Sequence, residues 1–172
     1  TEDLATYPRN FERDLALLEK ESVDIVFAPP AEEMYPAGYS TYVEVGDITS
    51  RLEGEQRPGH FRGVATVVTK LFTIVRPNHA YFGQKDGQQL LVVRHLTRDL
   101  NLDTEVVAVP TIRDPDGLAL SSRNTYLSKR ERKAALVLSQ ALRNAERLWH
   151  EGERNAVTLR YEMSAIIQAE PL

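Results

Sequence analysis

The 172-residue chain has no cysteine, which excludes disulfide bonds, thiolate zinc sites and a cysteine nucleophile. It also lacks any apolar run near the roughly 20 residues that a helix needs to span a bilayer. Its net charge of −4 provides no overall basic field to attract nucleic acid. These absences favour a cytoplasmic protein, without nucleic-acid or membrane partners, in which the charges that matter for function are local.

Apolar periodicity along the chain predicts alternating helices and strands. Helices are predicted at about residues 10–20, 64–75 and 128–149, and two more begin at Asp86 and Asn155. Residues 53–63 are predicted to form a loop, and the predicted strands are residues 23–27, 42–45, 79–82 and 105–109. Such alternation is typical of an α/β fold in which helices cover a parallel sheet.

A change of character near Arg113 predicts two domains, residues 1–112 and residues 113–172. The chain begins without methionine, and it stops soon after Ile166 and Ile167, two apolar residues that no later sequence can cover. We therefore expect the chain to be part of a longer polypeptide.

A glycine turn that carries a lysine, Gly83-Gln84-Lys85-Asp86, follows the predicted strand 79–82. In doubly wound sheets, ligands bind beyond the carboxyl ends of strands, where the N–H groups of the next helix present partial positive charge. Gly83 permits close backbone approach, Lys85 adds a full charge, and Asp86 can cap the helix or bind a metal through water. The turn suits a polyphosphate, although a solvated lysine beside a capping aspartate also explains these residues.

A second turn, Leu120-Ser121-Ser122-Arg123-Asn124, offers two hydroxyl groups and a guanidinium group. Arginine grips phosphate oxygens through two parallel hydrogen bonds, and serine hydroxyls fill the remaining positions. The acidic, glycine-containing residues 114–117 before it suggest a mobile loop that closes over a ligand, and a cap-rich linker is the alternative. Because both turns belong to one predicted sheet, we expect Lys85 and Arg123 to converge on the same triphosphate.

Two further pairs of polar residues are candidates for contacts with a substrate. Gln88 and Gln89 can hydrogen-bond a hydroxyl-bearing acid, or they can simply form a polar helix surface. Arg57 and His60, in the predicted loop 53–63, can attract a carboxylate substrate or form a subunit contact. A charged surface loop is the simpler interpretation of the second pair.

The ordered set of motifs resembles the pantothenate synthetase (pantoate–β-alanine ligase) family. So many matches in the same order are highly specific, and they cover nearly the whole chain. The matching residues are Glu2-Asp3-Leu4, Tyr7-Pro8-Arg9, Phe27-Ala28-Pro29, Met34-Tyr35-Pro36, Leu52-Glu53-Gly54, Arg57-Pro58-Gly59-His60-Phe61-Arg62-Gly63, Phe82-Gly83-Gln84-Lys85-Asp86, Gln88-Gln89 and Asp116-Gly117-Leu118-Ala119-Leu120-Ser121-Ser122-Arg123-Asn124.

This resemblance implies a Rossmann-like parallel sheet of the nucleotidylyltransferase/HIGH superfamily, with the first strands and the HIGH-type element missing from this chain. The sheet is expected to be incomplete at its N-terminus and to be followed by part of a small α/β domain. The implied activity is the ATP-dependent condensation of pantoate with β-alanine through pantoyl adenylate, with release of AMP and pyrophosphate, in coenzyme A biosynthesis. Mg²⁺ is implied as the companion of ATP, and a homodimer is implied as the assembly.

The same resemblance assigns roles to individual residues. Catalytic roles fall on Lys85, Ser121 and Arg123, and Gln89 is expected to bind pantoate. Arg57 and His60 are a possible substrate or interface loop, and no metal ligand is assigned beyond Asp86 acting through water. The residues expected to bind ATP are Gly83, Gln84, Lys85, Asp86, Ile112, Leu120, Ser121, Ser122 and Arg123.

The chain departs from the family pattern in three ways. Gln84 stands where many relatives have glutamate, and the family's His-x-Gly-His and upstream Gln-Phe elements are missing from these residues. We therefore expect this polypeptide alone to be inactive or nearly so. The alternatives are another nucleotidylyltransferase, or a non-catalytic nucleotide-binding fragment.

Overall fold

Two parallel strands joined by a helix form the centre of the first part of the chain. The computed structural model describes residues 10–172, which form two units, residues 10–110 and residues 111–172. The motif matches at residues 2–4 and 7–9 lie outside the described residues. None of the described helices is both long enough and apolar enough to cross a membrane.

Helices and strands alternate through residues 10–110, and helices dominate residues 111–172. The helices are α1 (Phe11–Lys20), α2 (Ala31–Met34), α3 (Glu53–Gln56), α4 (His60–Val75), α5 (Gly87–Asp99), α6 (Lys129–His150) and α7 (Ala156–Gln168). The strands are β1 (His79–Gly83) and β2 (Glu105–Val109), and short 3-10 turns occur at Asp47–Ser50, Gln84–Asp86 and Ser122–Tyr126.

The sheet within the described residues consists of β1 and β2, which run parallel with His79 opposite Glu105 and Gly83 opposite Val109. Parallel neighbours require a crossover connection, and α5 provides it. Both strands and α5 confirm the predicted strand–helix–strand unit. The carboxyl ends of the two strands therefore lie side by side at one edge of the sheet, where Gly83 begins the first candidate turn.

The core of residues 10–110 lies between α4 and α5. It contains Phe61, Ala65, Val68, Phe72, Val92, Val93 and Leu96, which are all buried. Full burial of a valine, leucine or phenylalanine side chain stabilises a fold by roughly 1.5–3 kcal/mol relative to exposure. The helix predicted at residues 64–75 is confirmed, and it begins four residues earlier, at His60, inside the segment predicted as a loop. The loop predicted at residues 53–63 was therefore wrong at its C-terminal end, and it was also wrong at Glu53–Gln56, which form α3.

Two predicted strands are not strands in the structure. Residues 23–27 and 42–45 have no ladder hydrogen bonds to a neighbouring strand among the described residues. Ile25 is 82% exposed, and the Val43 N–H donates instead to the Thr66 hydroxyl at 3.0 Å. Period-2 apolar patterning predicts a strand only where a partner strand can take the backbone hydrogen bonds, and neither segment finds one here.

The helix at residues 10–20 is confirmed as α1, and the Asn10 side chain caps it by accepting from the Arg13 N–H at 2.9 Å. In the second unit, α6 and α7 pack together. The predicted capping box between Ser128 and Glu131 is present at the start of α6, and Asn155 caps α7. Side chains that bond the free N–H groups of a first turn fix where a helix begins.

Candidate functional site

The Gly83–Asp86 turn connects the end of β1 to the start of α5. A 3-10 turn at Gln84–Asp86 follows Gly83, and the side chains of Lys85 and Asp86 are 39% and 57% exposed. A side chain built at Gly83 or Gly87 would meet no atom within 4 Å, so open space faces the backbone at both ends of the turn. A ligand can therefore approach the turn's backbone closely.

Asp86 occupies the cap position of α5, but its side chain makes no capping hydrogen bond. The prediction that it caps the helix was wrong, because the carboxylate turns towards Lys85, with Oδ1 3.5 Å from Nζ. An α-helix leaves its first N–H groups without intrahelical partners. The Asp86 carboxylate does not take these groups, so the first turn of α5 keeps the donors and the positive dipole end that stabilise an anion.

The two adjacent glutamines of α5 have different surroundings. The Gln88 amide bonds three backbone groups: it accepts from the Glu53 N–H at 3.0 Å and donates to the Ile48 and Arg51 carbonyls at 2.8 and 2.7 Å. Gln89, the next residue, is half-buried and lies in the first turn of α5, directly after the 3-10 turn that carries Lys85. Gln88 therefore has a structural task, and Gln89 stays the predicted ligand of pantoate.

Arg57 and His60 form a charged cluster with Glu53. The Arg57 Nη1 lies 2.6 Å from the Glu53 Oε1 and 3.2 Å from the His60 Nε2, and this histidine nitrogen lies 3.6 Å from the same carboxylate oxygen. All three side chains are partly buried. The carboxylate of Glu53 was not singled out from the sequence, although its position four residues before Arg57 is typical of a helical ion pair.

The second candidate turn follows a short hairpin, residues 112–120, which has a single antiparallel β-bridge between Arg113 and Ala119. The Leu120 N–H donates to the Ile112 carbonyl at 2.9 Å, and Asp114 and Gly117 close the tip through backbone bonds of 2.8 Å. Gly117 has φ of +99°, a left-handed conformation that favours glycine. A side chain there would also lie 2.5 Å from the Arg143 Nη2. The segment predicted as a mobile loop is thus a hairpin packed on α6.

Arg132 clamps this hairpin to α6. Its Nη2 lies 2.8 Å from the Asp114 Oδ2 and 2.9 Å from the Asp116 Oδ2, and the two carboxylates raise the pKa of the guanidinium. The pKa of the Asp116 carboxyl lies below its usual range, mainly because the Leu118 N–H donates to the carboxylate and, to a smaller extent, because Arg132 binds it. The sequence Asp-Pro-Asp-Gly at 114–117 is typical of a tight turn, so the hairpin could have been found from the sequence, but its arginine could not.

The clamp predicts a pH dependence of stability. A carboxyl whose pKa is lowered by folding contributes stability above its unfolded pKa, and that stability is lost as the pH falls through the lower folded pKa. We expect the thermal midpoint to drop as the pH falls below about 4, the ordinary range of aspartate. In Asp116→Asn the acid-induced drop should be smaller than in wild type, because the titrating group is gone. Identical midpoint–pH curves for the two proteins would contradict the clamp.

The Leu120–Arg123 turn lies between the hairpin and α6. The Ser121 hydroxyl accepts from the Arg123 N–H at 3.2 Å, and the Asn124 amide donates to the Ala119 carbonyl at 3.0 Å. Ser122, Arg123 and the side chain of Ile112 are exposed. Hydroxyl and guanidinium groups are thus presented at the surface from a turn that internal hydrogen bonds shape.

The structure brings the predicted site residues together in two groups. Gly83, Gln84, Lys85, Asp86 and Gln89 lie along the β1–α5 connection. Ile112, Leu120, Ser121, Ser122 and Arg123 lie along the hairpin and the turn that follows it. The convergence of Lys85 and Arg123 on one triphosphate stays a prediction.

Residues 10–172 contain no cluster of three or more His, Asp or Glu side chains that could hold a metal ion. Asp86 supplies one exposed carboxylate beside Lys85. Mg²⁺ commonly binds through one or two carboxylates together with substrate phosphates and several waters. This single carboxylate therefore fits a magnesium ion that arrives with a nucleotide, and it does not fit a resident metal held by the protein alone.

Comparison with known proteins relates the whole chain to one group of enzymes. The family model described as Pantoate-beta-alanine ligase matches residues 1–172. Relatives named pantothenate synthetase, from Roseiflexus sp. (strain RS-1) and Carboxydothermus hydrogenoformans, are each 60% identical over 172 residues. These matches cover 100% and 99% of this chain, but 62% and 61% of the relatives.

Solved structures give the same result. A crystal structure of pantoate–β-alanine ligase (pantothenate synthetase) from Thermus thermophilus matches with a TM-score of 0.93 at 53% identity, over 99% of this chain and 62% of that one. The ligase from Francisella tularensis, complexed with "Beta-gamma ATP and Beta-alanine", matches with a TM-score of 0.77 at 34% identity, over 95% and 61%. The predicted Rossmann-like α/β fold is confirmed, and the chain spans about three fifths of the length of these relatives.

Proposed function

Because the chain belongs to the pantoate–β-alanine ligase family, we propose that the protein containing it condenses pantoate with β-alanine to form pantothenate. In the first step a carboxylate oxygen of pantoate attacks the α-phosphorus of ATP, and pyrophosphate leaves. In the second step the amine of β-alanine attacks the acyl carbon of pantoyl adenylate, AMP leaves, and the amine loses a proton.

The observation that carries this proposal is the open Gly83–Asp86 turn at the carboxyl end of β1. Negative charge moves onto the bridging and equatorial phosphate oxygens during displacement, so fixed positive groups beside them stabilise the transition state. Lys85 supplies a full charge, and the first turn of α5 supplies backbone donors. Gln89, on that same helical turn, would hold the hydroxyl-bearing acid that attacks.

We also assign contacts with ATP to the Leu120–Arg123 turn. Arg123 would bind phosphate oxygens, Ser121 and Ser122 would add hydroxyl donors, and the backbone of Ile112 would contact the adenine. The carbonyl of Ile112 already accepts from Leu120, so contact with adenine would use its second lone pair or the N–H.

Several features of the whole protein complete the proposal. Mg²⁺ would enter with ATP, with Asp86 contributing through water, and Arg57 and His60 would form a substrate or interface loop. Residues 1–112 and 113–172 would be the nucleotide-binding domain and part of the smaller domain. We also propose that the protein forms a homodimer. We propose the cytoplasm as its location, in agreement with the absence of cysteine from the sequence.

The test is to measure pyrophosphate and AMP separately in the natural-length protein, omitting one substrate at a time. We expect one equivalent of pyrophosphate from ATP and pantoate alone, and AMP release only when β-alanine is added. Pyrophosphate release that does not depend on pantoate would indicate another nucleotidylyltransferase. Nucleotide binding by calorimetry without any turnover would indicate a non-catalytic binding module.

The 172-residue polypeptide gives a separate prediction. Its sequence contains no His-x-Gly-His element, since none of His60, His79, His95 and His150 is followed by a glycine and a second histidine in that spacing. We therefore expect no AMP release from ATP, pantoate and β-alanine with this polypeptide alone. Clear turnover under the conditions used for the natural-length protein would contradict the expectation.

A further inference from the structure

We propose that Gln88 is a positioning residue that holds the first turn of α5, and with it Lys85 and Gln89, in the geometry that the reaction needs. The inference rests on the proposed function, which makes this turn the site for ATP and pantoate. Gln88 itself would not touch either substrate, because its amide is engaged with three backbone groups of residues 48–53.

The hydrogen bonds of Gln88 surround a strained residue. Leu52 has φ of 51° and ψ of −121°, a conformation that non-glycine residues rarely adopt. Such strain persists only where the surrounding structure enforces it. Burial does not enforce it here, since Leu52 is 76% exposed. The Gln88 amide does, because it bonds the Arg51 carbonyl on one side of Leu52 and the Glu53 N–H on the other.

Only a carboxamide can make this set of bonds. Its oxygen accepts from an N–H while its nitrogen donates to two carbonyls, whereas a carboxylate has no donor and an apolar side chain has neither group. The Gln88 side chain is partly buried, where an unsatisfied polar group is costly. These hydrogen bonds therefore stabilise the turn formed by residues 48–53, and they also fix the position of the helix that carries Gln88.

The charged cluster of Glu53, Arg57 and His60 in turn stabilises the segment that Gln88 binds. Glu53 receives the Gln88 bond through its backbone, and its carboxylate is bound by Arg57 and lies beside His60. Gly54 follows, packed so closely against the Thr49 carbonyl that no side chain fits. The segment that Gln88 grips is thus itself rigid, and it serves as a fixed support for the first turn of α5.

Replacing Gln88 should therefore weaken the affinity of the enzyme for its substrate. Gln89 is the next residue, and Lys85 lies three residues earlier, so a small rotation of the first turn would move both. Misplacement of a reacting group by about 1 Å can reduce a rate by about 10²-fold. A purely structural role would lower the amount of folded protein and leave the Michaelis constants of the folded fraction unchanged.

The experiment compares Gln88→Met with wild type and with Gln140→Met, the same change at an exposed glutamine of α6. In the natural-length protein, we expect Gln88→Met to raise KM for pantoate about 10-fold and to lower kcat/KM for pantoate by about 10²-fold. KM for β-alanine should stay within about 2-fold of wild type. Gln140→Met should resemble wild type in every constant, as surface substitutions usually do.

A lowered thermal midpoint with an unchanged KM for pantoate would overturn the proposal. If Gln88→Met does not fold, Gln88→Glu replaces it, because this residue has the same shape and keeps the acceptor but loses both donors. We expect it to raise KM for pantoate at least about 3-fold, and an unchanged KM would also overturn the proposal. Failure of the proposed function is recognised separately, since wild type would then show no pantoate-dependent pyrophosphate release.

Discussion

Replacing Lys85 by alanine is expected to slow pantoyl-adenylate formation by about 10²-fold or more, as is typical when one fixed charge is removed from a transition state. The lysine stands on the 3-10 turn between β1 and α5, beside backbone that open space allows a ligand to approach. The measurement is the rate of the first pyrophosphate release at saturating ATP and pantoate in the natural-length protein. An unchanged rate would remove Lys85 from the mechanism.

The stability of the protein should hardly change in this variant. The only ion pair described for Lys85 in residues 10–172 is with Asp86, at 3.5 Å, and both side chains are well exposed. Exposed pairs of this kind contribute about 0–1 kcal/mol. A large loss of rate with an unchanged thermal midpoint therefore separates a catalytic effect from unfolding.

Two control variants refine the Lys85 experiment. Lys85→Arg keeps the charge but changes its shape and reach, so it should retain more activity than Lys85→Ala. Lys20→Ala removes an exposed lysine at the end of α1 and should leave the rate unchanged. A rate in Lys85→Arg as low as in Lys85→Ala would show that the site needs a primary ammonium group and not simply a positive charge.

Replacing Gly54 by alanine is expected to lower the free energy of unfolding by about 3 kcal/mol, at the upper end of the usual cost of overpacking. The added methyl group would lie 2.6 Å from the carbonyl carbon of Thr49 and closer still to its oxygen. A backbone carbonyl cannot rotate aside as a flexible side chain can. The segment would have to move, and the support that Gln88 grips would move with it.

Gly63→Ala is the matched control. Gly63 lies inside α4, and a methyl group there would meet no atom within 4 Å. Alanine in a helix interior is more stable than glycine by roughly 0.5–1 kcal/mol, so this variant should be slightly stabilised. Urea denaturation of both variants in the natural-length protein measures the difference. Equal midpoints for Gly54→Ala and wild type would show that Thr49 does not restrict the position.

The parts of the fold with local causes could be predicted from the sequence. The Ser128–Glu131 capping box and the helical periodicity of residues 64–75 and 128–149 depend on neighbours a few residues away, and the structure confirms them. The strands at residues 79–82 and 105–109 are confirmed because each gives the other a parallel partner for its backbone hydrogen bonds. The predicted strands at residues 23–27 and 42–45 were wrong because strand formation depends on a distant partner.

The candidate site shows the same division. Its residue types could be read from the two turns, because glycine, lysine, serine and arginine have local chemical reasons to be there. The orientation of Asp86 and the bonds of Gln88 depend on what lies nearby in space, and the sequence gives no sign of that. The pairing of Arg132 with Asp114 and Asp116 is non-local in the same way, whereas the ion pair between Glu53 and Arg57 spans only four residues and has a local cause.

The attachment of the hairpin to α6 has a consequence for the thermodynamics of nucleotide binding. Restricting one residue's backbone to a single conformation costs roughly 1–2 kcal/mol of entropy. Residues 121–127 lie between the Leu120–Ile112 bond and the Ser128 cap, and Ser122–Tyr126 form a 3-10 turn, so part of this entropy is already lost when the chain folds. An arriving nucleotide would meet Ser121 and Arg123 on a backbone already in shape, and little of its interaction energy would be spent on immobilising the protein.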